Sequence, residues 1–127
     1  MAADWSAKLA AVILLGVAAF QLLLVLGVPL GRYAWGGSVE VLPIQLRIAS
    51  IVAMLVYLLA AAIVLSRAGV VALITSDRVT HTGTWALTVL FGIGVVLNAI
   101  SKSDKERLFV PVVLTLSILC FIVATSE

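Results

Sequence analysis

The chain has 127 residues, of which 64% are hydrophobic and 11% are charged, and its formal net charge is +2. A water-soluble domain carries about 25% charged residues, so this composition excludes a protein whose whole surface faces water. The Lys and Arg residues are scattered among polar stretches rather than gathered into a stripe, which argues against nucleic acid as a partner.

The first predicted helix covers residues 9–30 and follows a short polar stretch. Because the hydrocarbon core of a bilayer is about 30 Å thick and a helix rises about 1.5 Å per residue, a span needs roughly 20 residues. The run is longer than the apolar core of a signal peptide, which has roughly 7–15 residues, so we expect it to remain as a span. Gln21 is a polar side chain near its middle.

The second predicted helix covers residues 43–66 and follows a first loop that contains Arg32. Pro43 favours a helix start because proline has no amide hydrogen to leave unsatisfied there. Arg47 lies about one turn inside the helix, and its long stem can carry the guanidinium back to the lipid headgroups. Tyr57 is placed near the middle of the membrane.

The second half of the chain predicts two further spans, over residues 84–100 and 109–124, after a second loop that is apolar over residues 70–74 and polar over residues 75–83. Asn98 lies near the end of the third helix. The stretch between these two spans holds the densest cluster of charge in the chain, and we interpret it as a short polar loop. Its charged residues are Lys102, Asp104, Lys105, Glu106 and Arg107.

Small residues recur at helical spacing on the second and third predicted helices. Such residues let two helix backbones approach closely within a membrane, so we predict that both rows pack against neighbouring helices. The rows are Ala49, Ala53 and Ala60, and Thr84, Thr88 and Gly92.

We therefore predict an all-α polytopic membrane protein: one domain over residues 1–127, whose four transmembrane helices form a bundle of two tandem helical hairpins. An even number of spans places both ends of the chain on one side. Five of the Lys and Arg residues fall on the side of the first and third loops and three on the other, so the positive-inside rule predicts that loops 1 and 3 are cytoplasmic. The high content of Ala, Val, Leu and Gly favours a bacterial plasma membrane.

Residues that could carry chemistry are scarce within the spans. No Asp, Glu, Lys or His lies near the middle of a span, which argues against a proton-coupled transporter. Small four-helix multidrug exporters of this size rely on a glutamate in the first helix, where this chain offers only Gln21, which cannot titrate. The sequence contains no HExxH, no CxxC and no glycine-rich phosphate loop, so we predict no enzyme, no cofactor and no metal site.

The candidate polar contacts within the membrane are Gln21, Tyr57 and Asn98. Such groups can line a path for a solute, or they can form hydrogen bonds between helices that are worth on average about 0.6 kcal/mol each. Basic residues at the first and third loops are candidate contacts for anionic lipid headgroups. These are Arg32, Arg47, Lys102, Lys105 and Arg107.

Because no Asp, Glu, Lys or His lies near the middle of a span, we favour a protein that acts through contacts with other molecules over one that catalyses a reaction. Our first hypothesis is a non-enzymatic accessory subunit or self-associating scaffold, whose partners are the lipid bilayer and other membrane subunits or a second copy. The alternative is an oligomeric channel or carrier for a small solute or ion, which would need at least a dimer because four short helices do not easily enclose a path. A membrane enzyme that acts on lipid is the least favoured reading, since no nucleophile and base pair is visible.

Overall fold

The computed structural model describes residues 2–35, 39–101 and 104–126, without the side chains of residues 2 and 32. These residues are almost entirely helical, and no strand occurs among them. The helices are α1 (Ala2–Val25), α2 (Ile44–Arg67), α3 (Asp77–Ala99), α4 (Asp104–Arg107) and α5 (Val110–Thr125), with a short 3-10 turn at Gly31–Tyr33.

Four segments of the described chain are long and apolar enough to cross a membrane. They are α1, α2, α3 and the stretch Asp104–Thr125, which contains both α4 and α5. The bundle also turns large apolar side chains outward, such as Leu15 on α1, Leu55 on α2 and Leu97 on α3. An outer surface of this kind is solvated by lipid rather than by water. The prediction of an all-α, four-helix transmembrane bundle is confirmed.

The helices pack in the order in which they occur in the chain. The most extensive contacts join α1 to α2 and α3 to α5, which makes two helical hairpins. Contacts of α1 with α5 and of α2 with α3 close the ring, and the pairing of α2 with α3 is the slightest of the four. The bundle therefore has one seam, between α2 and α3, where its wall is least tightly closed.

The bundle has two distinct ends. The terminal face is the end at which α1 and α3 begin and α2 and α5 finish, and the loop face is the opposite end. Side chains near the terminal face are small and closely packed, so that Ala7, Ala10, Ala60, Thr84 and Cys120 are fully buried. Small residues allow the four backbones to approach closely there, which leaves little space between the helices.

Helix α1 lies nearer the N-terminus than predicted. It begins at Ala2 rather than near residue 9, and it finishes at Val25 rather than at residue 30. The end is a Schellman motif, in which Gly27 (φ +93°) donates to the Leu24 carbonyl and Val28 donates to the Leu23 carbonyl. Glycine adopts this left-handed conformation readily, so Gly27 stops the helix although the following residues remain apolar.

Helix α3 also begins earlier than predicted, at Asp77 rather than near residue 84. Ser76 caps it, because the Ser76 hydroxyl accepts a hydrogen bond from the Val79 amide at 3.3 Å. Asp77 in the first turn adds a negative charge at the positive end of the helix dipole. Residues 77–83, which the sequence predicts as part of the second loop, therefore form the first two turns of α3.

The charged stretch between the third and fourth spans is partly helical. Asp104–Arg107 forms one helical turn, and a short turn then leads into α5. Arg107 pairs with Asp104 and also donates to the Ser101 carbonyl at 2.9 Å. This turn lengthens the last helical segment beyond the predicted residues 109–124, so that Asp104–Thr125 is the stretch long and apolar enough to cross a membrane.

Candidate functional site

A cavity of about 340 Å³ lies between the four spans in the half of the bundle next to the loop face. Its walls come from all four spans and from the residues that follow α1 and precede α5. Most of its lining is aliphatic or aromatic, and no Asp, Glu, Lys, Arg or His is present among the described residues that line it. Its polar side chains are those of Gln21, Tyr33, Tyr57 and Asn98.

The three polar residues singled out within the membrane all line this one cavity. Gln21 on α1, Tyr57 on α2 and Asn98 on α3 reach it from three different helices. Asn98 Nδ2 donates to the Gly94 carbonyl at 2.8 Å, within its own helix. Gln21 is only 6% exposed, and its Oε1 has no hydrogen-bond partner among the described residues. A buried polar atom without a partner destabilises a fold by about 1–3 kcal/mol.

The position of Gln21 follows from the periodicity of α1. Ala7 and Leu14 are fully buried, and Gln21 continues the same face at steps of seven residues. Two helical turns of 3.6 residues bring a side chain back to nearly the same direction, so Gln21 faces the interior as Leu14 does. The fold therefore places an amide where an apolar side chain would otherwise continue the core.

Aromatic rings close the cavity towards the loop face. The centroids of the Phe20 and Phe109 rings are 5.3 Å apart, and Tyr33 lies edge-on to both at 6.5 Å and 6.3 Å. Lys105 Nζ lies 5.9 Å from the Tyr33 centroid, which places α4 over the cluster. Ring pairs at these separations attract one another, so the three rings form a stable cover. We name Phe20, Tyr33 and Phe109 the aromatic cover.

The turn that carries Tyr33 depends on a glycine. Gly31 N–H donates to the Glu40 carbonyl at 2.7 Å, and a Cβ at residue 31 would overlap the Val39 carbonyl oxygen. Trp35 then reaches α2, where its indole N–H donates to the Ser50 hydroxyl at 2.9 Å. The first loop is thereby folded onto the end of the bundle, and it holds Tyr33 against the other two rings.

The aromatic cover was not predicted from the sequence. The sequence carries no local signal that Phe20, Tyr33 and Phe109 meet. They are far apart in the chain and come together because α1 and α5 are neighbours in the bundle.

The cavity communicates with the outside between α2 and α3. Several lining side chains on these two helices are also exposed on the bundle surface: Val56 is 37% exposed, Ile93 52% and Leu97 58%. The same two helices share the slightest contact of the neighbouring pairs. They meet near the terminal face, where the Ile63 side chain lies against Gly83. The opening therefore lies on the side of the bundle, between α2 and α3 and towards the loop face.

Three of the five basic residues proposed for lipid headgroups have described side chains, and all three lie at the loop face with contacts inside the protein. Arg47 Nε donates to the Leu42 carbonyl at 2.9 Å, and its guanidinium lies against Gly27. Lys105 is over Tyr33, and Arg107 is paired within α4 as described above. The side chain of Arg32 and the whole of Lys102 lie outside the described residues. The first and third loops do adjoin, since α4 packs beside the 3-10 turn.

The alanine row on α2 divides among different environments. Ala60 is fully buried in the core near the terminal face, Ala53 lines the cavity, and Ala49 is half-buried. The row therefore faces the inside of the bundle rather than the surrounding lipid.

The second row, on α3, also faces its own bundle. The Thr84 and Thr88 hydroxyls donate within α3, to the carbonyls of Thr80 at 2.6 Å and of Thr84 at 2.9 Å. Thr88 O accepts a hydrogen bond from the Ser117 hydroxyl of α5 at 3.0 Å. The Ser117 hydroxyl would lie 3.7 Å from a Cβ at Gly92, so this glycine is at the same helix pair.

Comparisons of the chain with protein-family models, with curated proteins and with solved structures find no match. The cavity is therefore the feature from which a function can be inferred.

Proposed function

We propose that this integral membrane protein acts by binding rather than by catalysis, and that it binds a small solute in the cavity between its spans. A carrier must bind its solute before it can move it, so binding is the first step of the carrier function given above as the alternative. The observation that supports it is the Gln21 Oε1 atom, which is buried at the cavity and has no partner among the described residues. A bound molecule that supplies a hydrogen bond would remove that energetic penalty.

The character of the cavity agrees with a ligand site. Pockets for small molecules usually have volumes of about 300–1,000 Å³ and mainly apolar walls, with a few polar groups that orient the ligand. Here the volume is about 340 Å³, and Gln21, Tyr57 and Asn98 are set among apolar side chains.

One copy of the chain supports binding better than conduction. The half of the bundle next to the terminal face is filled by fully buried side chains, among them Leu14, Val64, Thr84 and Cys120. A continuous aqueous path through one bundle would have to pass this packed region. A channel would therefore require several copies, whereas a receptor or carrier requires only the cavity described here.

The proposal is tested by the molecules that co-purify with the protein. Ala53 lines the cavity, and Ala53→Phe is expected to fill it. Ala86 is exposed on the outside of α3, so Ala86→Phe adds the same bulk away from the cavity. Each protein would be purified in mild detergent and analysed by native mass spectrometry, followed by organic extraction of the bound molecules.

We expect wild type and Ala86→Phe to retain a small molecule that Ala53→Phe lacks. If the three proteins carry the same bound molecules in the same amounts, the cavity is not a binding site and the proposal is wrong. Folding of Ala53→Phe is checked by its far-ultraviolet circular dichroism, which should match that of wild type.

A second candidate is association with another copy or another membrane subunit, and the outward face of α1 supports it. No atom lies within 4 Å of the position of a Cβ at Gly16, and the nearby Ala19 is exposed as well. Small residues on an outward face allow a second helix to approach closely. Gly16→Leu is then expected to convert an oligomer into monomers in mild detergent, whereas Ala86→Leu on the outside of α3 is not. A wild-type protein that is monomeric and alone under these conditions would contradict this candidate.

A further inference from the structure

We propose that the cavity takes a neutral, chain-like molecule dissolved in the bilayer, with a hydroxyl group at one end that hydrogen-bonds to Gln21. This inference rests on the proposed function and adds the class of ligand and the side from which it arrives. Four properties of the cavity support this inference. The described residues that line it carry no charge, it is small, it is closed towards both ends of the bundle, and Gln21 has a buried oxygen without a partner among the described residues.

The ligand is neutral because the cavity offers no countercharge. The described residues that line it include no ionisable acid or base of the Asp, Glu, Lys, Arg or His type. Moving an unpaired charge into such a site would be opposed by a large desolvation penalty. Inorganic ions and charged headgroups are therefore excluded as occupants.

The ligand is small and mostly apolar. A volume of about 340 Å³ holds roughly eleven groups of the size of a water molecule, each of which takes ~30 Å³. Aliphatic side chains such as Val17, Val113 and Leu116 form much of the wall. A medium-length alkyl chain with one polar end, such as decanol, is of this size and polarity.

The ligand arrives from the lipid. The aromatic cover closes the cavity towards the loop face, and the packed core closes it towards the terminal face. The remaining opening lies between α2 and α3, where Ile93 and Leu97 line the cavity and are also exposed on the surface. A molecule that reaches the cavity by this route must first be dissolved in the bilayer.

The polar end of the ligand is a hydroxyl because of the Gln21 amide. Gln21 lines the cavity, but its Oε1 is covered and has no partner among the described residues, so a hydroxyl can donate to it once the side-chain amide turns towards the cavity. A hydroxyl can also accept from an amide N–H, so it satisfies the Gln21 side chain in either orientation of the amide. The head of the chain therefore lies at Gln21, and the tail lies towards the opening.

The test uses two photoreactive probes in liposomes that contain the full chain: a decanol and a decane, each with the same diazirine group. Labelled residues would be mapped by peptide mass spectrometry, and unlabelled decanol or a short water-soluble diol would be added as competitor. The variants are Gln21→Met, which keeps the length of the side chain, and Gln45→Met, which changes an exposed glutamine on α2 in the same way. Ala53→Phe, with Ala86→Phe as its control on the outside of α3, tests occupation of the cavity without altering Gln21.

We expect the decanol probe to label buried cavity residues such as Phe91 and Leu116, and decanol but not the diol to compete. Gln21→Met should lower this labelling about two- to tenfold, which is the loss of one hydrogen bond, and Gln45→Met should leave it unchanged.

Equal labelling by both probes, with no effect of Gln21→Met, would overturn the hydroxyl-bearing ligand but leave a cavity that binds apolar chains. Competition by the diol as strong as that by decanol would overturn access from the lipid. If neither probe labels the cavity above Ala53→Phe, both this inference and the proposed function fail.

Discussion

Replacement of Gln21 by Met should stabilise the protein when no ligand is bound. Gln21 is 6% exposed, and its Oε1 lacks a partner among the described residues. Leaving such an atom buried costs about 1–3 kcal/mol, and Met has a similar length without the polar group. Since the substitution adds little bulk, no overpacking term offsets the gain. We expect the free energy of unfolding to increase by about 1–3 kcal/mol.

The measurement is reversible unfolding in mixed micelles, followed by far-ultraviolet circular dichroism, on protein stripped of bound lipid. Gln45→Met is the matched control, because Gln45 is exposed in the first turn of α2, and it should change stability by less than about 0.5 kcal/mol. A loss of stability in Gln21→Met that the control does not show would refute the reasoning, because it would mean that the amide makes a favourable interaction in the ligand-free protein.

Gln21→Met and Gln45→Met also distinguish the effect of Gln21 on the stability of the free protein from its effect on ligand binding. A ligand that binds only the folded state stabilises it by an amount that grows with its concentration relative to its dissociation constant. Decanol is therefore expected to raise the unfolding midpoint of wild type and Gln45→Met more than that of Gln21→Met. A residue whose removal stabilises the free protein and weakens ligand binding is one kept for function rather than for folding.

Three further predictions concern the fold. Ser117→Ala removes the hydrogen bond that joins α5 to α3 and should lower stability by about 0.6 kcal/mol, measured by the same unfolding assay. Gly27→Ala should destabilise by about 1–2 kcal/mol because residue 27 has φ +93°, whereas Gly16→Ala, inside α1 and in open space, should stabilise by about 0.5–1 kcal/mol. A thiol at Leu55 should resist reagents confined to water, although Leu55 is 57% exposed, whereas a thiol at Thr75 in the loop before α3 should react.

Each of these has a clear contrary result. A loss above about 2 kcal/mol for Ser117→Ala would mean that the hydroxyl does more than bridge two helices. Equal effects of the two glycine substitutions would contradict the left-handed end of α1. Ready modification of the thiol at Leu55, without a detectable aqueous pore, would contradict a surface that is covered by lipid.

The environment and the number of spans could be predicted from the sequence because both depend on composition along the chain. Four long apolar runs need lipid wherever their side chains point, and this holds before any contact between helices is known. Helix ends were less readable, although their signals are local. Gly27 is an ordinary helix stop, but the apolar run that continues beyond it predicts a longer helix. Ser76 is an ordinary helix start, but the polar run that follows it predicts a loop.

The cavity is a property of the tertiary structure alone. In water, the apolar face of a helix marks its buried side, but a helix in lipid is apolar on every side, so the pattern does not show which face meets its neighbours. Gln21, Tyr57 and Asn98 could be recognised singly as polar residues at depth. Their meeting in one space depends on the order of the helices and on the slight contact of α2 with α3, which are set by packing between segments far apart in the chain.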